Sequence, residues 1–208
     1  RQKEYIYYVT KKLLDDTVRL WAEWHGEKAI SDQRDAELIE NDEITIAGGE
    51  DGFAELLRNP NMYQKYKTQN QVLEEIIDNG LCNIANEVGT QKIGNPYREQ
   101  DVYAVESWYS FNSLDDYENN IISIENSYLG GPAATRKSET SMSAYVASKN
   151  SDLDAEITKA ISDARKAIRD IPAPFRDQVT KGKVATIDTA MDKLAELNKS
   201  LKKIKSVL

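Results

Sequence analysis

The residue types best suited to chemistry in this 208-residue chain gather between residues 106 and 130. Leu114, Tyr117, Ile121, Ile124 and Tyr128 recur there at three- and four-residue steps, the pattern of a helix with an apolar seam. Beside that seam run Asp116, Asn120, Ser123 and Ser127, one polar residue on each successive turn. A line of hydrogen-bonding groups with a single carboxylate suits an interface or a small polar site better than bulk solvent. A purely structural explanation stands beside it. Ser113 followed three residues later by Asp116 has the form of a capping box, and Ser110 is placed to satisfy another free amide of the first turn.

The remaining inventory is thin. The chain holds no HExxH, CxxC, GxSxG or phosphate-loop motif. Its one histidine, His25, closes a predicted helix, where an imidazole is a common structural device near the negative end of the dipole. A single histidine cannot make a two-histidine zinc site, and His25 and Glu27 fall on different helical faces. Cys82, among Ile76, Ile77, Leu81 and Ile84, reads as a buried thiol. With 27 basic against 35 acidic residues, the net charge of −8 argues against free nucleic acid, whose binding relies on Lys and Arg displacing phosphate counterions. The longest apolar runs are only a few residues, so no transmembrane segment is expected. No signal peptide is visible, but the chain begins with Arg1 and not Met, so its start is expected to be processed, trimmed or internal to a longer product.

Amphipathic helices must position these residues. A first helix is predicted over about 3–30, with Ile6, Val9, Leu13, Leu20 and Trp24 facing a core and Leu14 and Trp21 widening the stripe. An acidic connector is expected at about 31–68, containing a short helix at 51–58. A second long helix is predicted from Gln69 to Glu87, stopped by Gly89, Gly94 and Asn95-Pro96, which open an aromatic loop at about 89–112. The helix of Asp116 runs from Ser113 to the break at Gly130-Gly131-Pro132. A short helix is expected at Ser141–Ser148, then a long one capped by Ser151 with Asp154 as its capping-box partner. After the rigid Pro172-Ala173-Pro174 connector, Ile187, Ala190, Leu194, Leu197, Leu201, Ile204 and Leu208 trace an unbroken heptad seam. Lysines crowd that helix's end, as the dipole favours. The expected fold is all-α: an up-and-down bundle of five long helices with short connecting helices, forming one domain over 1–208.

Ser110, Asn112, Ser113, Asp116, Asn120, Asn126 and Tyr128-Leu129-Gly130 together resemble the C-terminal signature of imelysin-like proteins. That signature is a Phe-Ser-Asp-Asn-Thr-type loop, an Asp and an Asn one helical turn apart, and a closing Tyr-x-Gly. The 141–147 segment, the Ser151-Asp152-Leu153-Asp154-Ala155 helix start and the Ile171-Pro172-Ala173-Pro174-Phe175 connector are similar too, so the resemblance spans about residues 70–205. It implies a two-lobe helical protein of the bacterial periplasm or cell surface, often lipid-anchored, linked to iron regulation and uptake, with some members classed as metallopeptidases. The Gly-x-His-x-x-Glu hallmark of the family's N-terminal lobe does not occur in this sequence. The resemblance therefore implies a C-terminal lobe whose partner is the N-terminal lobe of the same protein. Ser110, Asn112, Ser113, Asp116 and Asn120 would form this lobe's side of the cleft, and Glu106 stands where relatives place a His or an acid. The implied function is noncatalytic binding in iron or haem acquisition, with iron, haem or an outer-membrane uptake component as partners. Two alternatives are a metallopeptidase whose metal, iron or another divalent ion, is held through the other lobe, and a helical interaction module without ligand.

Overall fold

The computed structural model describes residues 1–29, 51–60 and 66–208. Among the described residues every regular element is helical, and they divide into two compact units, Arg1–Leu73 and Glu74–Leu208. The expected all-α class is what the chain adopts. Most of the predicted acidic connector lies outside the described residues, apart from α2 (Gly52–Arg58), which occupies the span expected for a short helix.

The first unit is built on α1 (Gln2–His25). The three-four spacing foretold this helix but not its surroundings. Leu13 is 65% exposed and Leu20 68%, while Ala22 is its one buried residue. The stripe predicted to face a core, Ile6, Val9, Leu13, Leu20 and Trp24 with Leu14 and Trp21, is therefore open. Periodicity reports which residues share a face and is silent about what covers it. At the far end of α1 the chain returns against itself. A Cβ on Gly52, which has φ +74°, would sit 2.2 Å from the Gly26 amide nitrogen, so only glycine fits that approach. His25 stacks on Trp21 and its Nδ1 donates to the Trp21 carbonyl at 3.0 Å, a local structural role.

The second unit carries one continuous core. Its opening helix enters through α3 (Gln69–Glu75) and does not stop at Gly89. It continues through a π-helical stretch Ile76–Cys82, α4 (Asn83–Glu87), a second π-helical stretch Val88–Gly94, and α5 (Asn95–Glu99). The expected stop signals fail for two reasons. Pro96 has no amide to offer the Lys92 carbonyl four residues back, and the Tyr117 hydroxyl donates to that carbonyl at 3.0 Å in its place. Gly94 fills a position where a Cβ would come 2.8 Å from the Gly89 carbonyl oxygen, so the wide turn itself demands glycine. The aromatic loop is correspondingly shorter, from 100 to 112.

Three more long or middling helices follow at the predicted places: α6 (Ser113–Leu129), α7 (Met142–Lys149) and α8 (Ser151–Arg169). After the short α9 (Arg176–Val179) comes α10 (Ala185–Lys202), whose last turn tightens into a 3-10 segment Lys203–Val207. The seams of α6, α8 and α10 meet in the core: Tyr117, Ile121, Ile124 and Tyr128 from the first, Ile157, Ile161 and Ile168 from the second, Leu194, Leu197 and Leu201 from the third. Cys82 is buried with them, and burial pushes its thiol above the ordinary range.

Two caps differ from expectation. Asn150, not Ser151, caps α8, its side-chain oxygen accepting from the Leu153 amide at 3.0 Å. Asp154, freed from any capping box, accepts from the Tyr128 hydroxyl at 2.8 Å and from Ser143 at 2.7 Å, joining three helices. Burial, then the bond to that carboxylate, holds the Tyr128 phenol protonated. Two of the C-terminal lysines are tied across the bundle: Lys203 pairs with Glu156 at 2.7 Å and Lys205 with Asp78 at 2.9 Å.

Candidate functional site

The residues singled out from sequence converge where the 100–112 loop enters α6. Asp116 is the hub. One carboxylate oxygen accepts from the Ser107 hydroxyl in a short hydrogen bond, and the other accepts from the Asn112 amide at 3.1 Å. Ser110 is exposed, and its hydroxyl donates to the Ser107 carbonyl at 3.3 Å. Glu106 is exposed and ion-paired with Lys92 at 3.0 Å. Asn120, one turn beyond Asp116, is half-buried, while Ser123 and Ser127 are exposed.

Ser113 behaves differently from the capping-box expectation. It is 2% exposed and lies inside α6, its hydroxyl donating to the Glu106 carbonyl at 2.5 Å. It fastens the loop to the helix and presents no free group to the surface. Asn112 occupies the N-cap position without a side-chain cap bond, and its amide nitrogen donates to Asp116. The polar cluster thus serves to shape the loop, with Asp116 and Glu106 left as its negative groups.

Sequence reasoning missed four contributors, three of them brought in from elsewhere in the chain. Ser107 lies within the motif itself but has no helical register to mark it. Lys92 arrives from the second π-helical stretch, whose wide turn also offers the Lys92 carbonyl to the Tyr117 hydroxyl at 3.0 Å. Burial first, and the nearby Glu106 charge next, keep the Tyr117 phenol protonated. Phe175, just after the proline connector, packs edge-on against Tyr117 at 5.6 Å. Arg176, the next residue, sets its guanidinium 4.4 Å from the Trp108 ring centre and 3.8 Å from that of Phe111. It also donates to the Trp108 carbonyl at 3.0 Å. Cation–π contact and a hydrogen bond from one side chain hold both aromatic residues in place. The aromatic content of the loop was a usable signal; its clamp was not.

The backbone of this loop is strained. Gln100, Ser107 and Phe111 have φ of 54°, 55° and 62°, and they are the only non-glycine residues at positive φ among the described residues. Each such conformation costs roughly 1–3 kcal/mol and persists only where surrounding contacts over-determine it.

A second polar cluster lies between α6 and α8. Arg165 reaches both Glu118, at 2.9 Å, and Glu125, while Arg136 reaches Glu125 at 3.1 Å and Arg169 reaches Glu118. A cavity of about 230 Å³ opens beside it, lined by Arg165, Arg169, Thr158 and Ser162. Burial works against the charge on Glu125, but the hydrogen bonds from Arg136 and Arg165 outweigh it and hold that carboxyl below the usual range. Every arginine there is already paired with a carboxylate, so the cluster reads as a tie between helices.

A protein-family model described as Imelysin, Peptidase_M75, matches residues 2–201. Iron-regulated protein A of Synechococcus elongatus is 30% identical over 144 residues, covering 66% of this chain and 38% of that protein. Among solved structures, an imelysin peptidase from Bacteroides ovatus is 43% identical, with a TM-score of 0.69 over 78% of this chain and 46% of that one. A protein assigned as an iron-regulated protein A precursor, from Parabacteroides distasonis, is 31% identical, with a TM-score of 0.78 over 98% of this chain and 55% of that one. The chain thus spans about half, or less, of the length of each of these relatives.

Proposed function

This chain belongs to the imelysin family, and we propose that it is the noncatalytic binding half of an exported iron- or haem-acquisition protein. The observation that carries the reading is the cluster around Asp116: a carboxylate at the start of α6 oriented by Ser107 and Asn112, with Glu106 on the strained loop that carries both of those residues. Carboxylate oxygens are the hard donors that suit iron as cargo. Asn120 extends that surface, Ser110 adds a hydroxyl, and Ser113 acts by anchoring the loop. The remaining half of the protein would close the cleft over these groups, and the Lys92–Glu106 pair would open as the cargo is taken. The iron-regulated relatives support the cargo, and the Parabacteroides relative, a precursor protein, supports export to the periplasm or cell surface, with or without a lipid anchor. Among the described residues no helix is long and apolar enough to cross a membrane.

The test is a calorimetric titration of the full-length protein with ferrous iron, ferric iron and haem. Binding is expected, weakened at least about tenfold by Asp116→Ala, a loss of 1.4 kcal/mol or more. No binding, or binding indifferent to Asp116→Ala, overturns the reading.

A second reading, a metallopeptidase, is favoured by the 43% identity to the Bacteroides ovatus imelysin peptidase. Among the described residues no group of three or more His, Cys, Asp or Glu is arranged to hold a metal, so this reading draws ligands from the rest of the protein. Metal-dependent proteolysis by purified full-length protein would select it over the first.

A further inference from the structure

The two hydrogen bonds that orient Asp116 come from two points of the 100–112 loop, Ser107 and Asn112. No residue from 106 to 112 is buried, and Ser107 and Phe111 hold left-handed φ values of 55° and 62°. Backbone of that kind persists only where surrounding contacts over-determine it. One of those contacts comes from far along the chain. Arg176 sets its guanidinium over the Trp108 and Phe111 rings and donates to the Trp108 carbonyl at 3.0 Å. Trp108 directly follows Ser107, and Phe111 directly precedes Asn112. The clamp therefore grips the loop one residue inside each of the two groups that hold the carboxylate. Arg176 is itself fixed, because Phe175 before it is 1% exposed and packs on Tyr117. All of these residues lie in Glu74–Leu208, so the clamp is formed within that one unit.

We propose that Arg176 is a positioning residue: by gripping Trp108 and Phe111 it keeps the Ser107 hydroxyl and the Asn112 amide on Asp116, and so sets how tightly that carboxylate takes a cation. The inference deepens the cargo reading and rests on it. Its content is a sign as much as a size. By charge alone, an arginine on the loop of a cation site opposes binding, so its removal would tighten the cation. Asp177, 3.6 Å from the Arg176 Nε, would be released as well and would act in the same direction. By position, removing Arg176 lets Ser107 and Asn112 leave the carboxylate and weakens the cation, as loss of an outer contact to a ligating group does. Lysine separates the two effects. It keeps the charge but lacks the planar fork that lies over two rings and donates to a carbonyl at once.

The experiment compares the full-length protein with Arg176→Ala, Arg176→Lys, Asp116→Ala and the double variant Asp116→Ala/Arg176→Ala. Two quantities are measured: hydrogen exchange of the 105–112 backbone without metal, and calorimetric binding of ferrous and ferric iron. Both single Arg176 variants should exchange that segment at least about threefold faster, with exchange in α10 unchanged. Both should also weaken iron binding at least about threefold. The double variant should bind no more weakly than Asp116→Ala, because Arg176 acts only through that carboxylate. Unchanged exchange, iron binding that is equal or tighter in either Arg176 variant, or a further loss in the double variant overturns the proposal. If iron binding still depends on Asp116 in those cases, the cargo reading stands. Absence of iron binding by the unsubstituted protein, or binding indifferent to Asp116→Ala, overturns both.

Discussion

The apolar residues of α1 and those of α6 and α10 follow the same three-four spacing, yet their fates are opposite. Ile121 and Leu201 are fully buried, whereas Leu13 and Leu20 are about two-thirds exposed. The ion pairs divide in the same way. On α1 they are single-turn contacts on the surface, Lys12 with Asp16 and Arg19 with Glu23 at 3.1 Å. Between α6 and α8 they join separate helices through the half-buried Arg165. An amphipathic pattern is thus a property of one helix, and burial is a property of its neighbours.

The largest expected effect tests that contrast directly. Leu194→Ala or Ile121→Ala should cost about 2–5 kcal/mol, because each leaves a cavity in a closed core. Leu13→Ala and Leu20→Ala should stay within about 0.5 kcal/mol under the same urea denaturation. A large loss at Leu13 would mean that the stripe is covered after all.

Next in size is the charge contrast. Arg165→Ala should cost about 1–3 kcal/mol, because it removes hydrogen bonds to two partly buried carboxylates and leaves each with a single arginine, while Arg19→Ala should stay within about 0.5 kcal/mol. The pH dependence has a definite sign. Because the folded Glu125 carboxyl titrates below its ordinary value of 4.5, its contribution is complete at neutral pH and is lost as acidification proceeds from about that value through the lower folded one. Stability of the unsubstituted chain should therefore fall below that pH, and the fall should be shallower in Arg165→Ala. An unchanged acid limb would remove Arg165 from the account.

The smallest expected effect compares adjacent residues. Asn150→Ala should cost about 1 kcal/mol by removing the cap of α8, and Ser151→Ala should cost less than about 0.5 kcal/mol. Equal losses would blur the assignment of that cap.

What could be read in the sequence follows from these contrasts. The seams of α6, α8 and α10 were legible because seven-residue spacing leaves few other arrangements for so many Leu and Ile. Asn150 and Ser151 were not separable, since both residue types cap well and only the local backbone decides. The continuation past Gly89 was illegible because glycine and Asn-Pro usually end helices, and the wide turns that retain them depend on packing. In the candidate site, Asn112 bonds to Asp116 one turn on, while Ser110 turns back to the Ser107 carbonyl. The inward turn of Ser113 and the arrival of Lys92 and Arg176 come from contacts between distant parts of the chain, which no local pattern encodes.

The two π-helical stretches have a consequence for chain length. A π-turn holds one residue more than an α-turn, so each stretch stores a phase offset of about 100° for everything downstream on that helix. At Gly80 an added Cβ would meet nothing within 4 Å, so the first offset has one open position beside the buried Ile77, Leu81 and Cys82. Removing one residue there would rotate Lys92 away from Glu106 without touching either side chain. An insertion or deletion in the 76–82 stretch would therefore re-aim the surface that carries Lys92, although it changes no residue of the 100–112 loop.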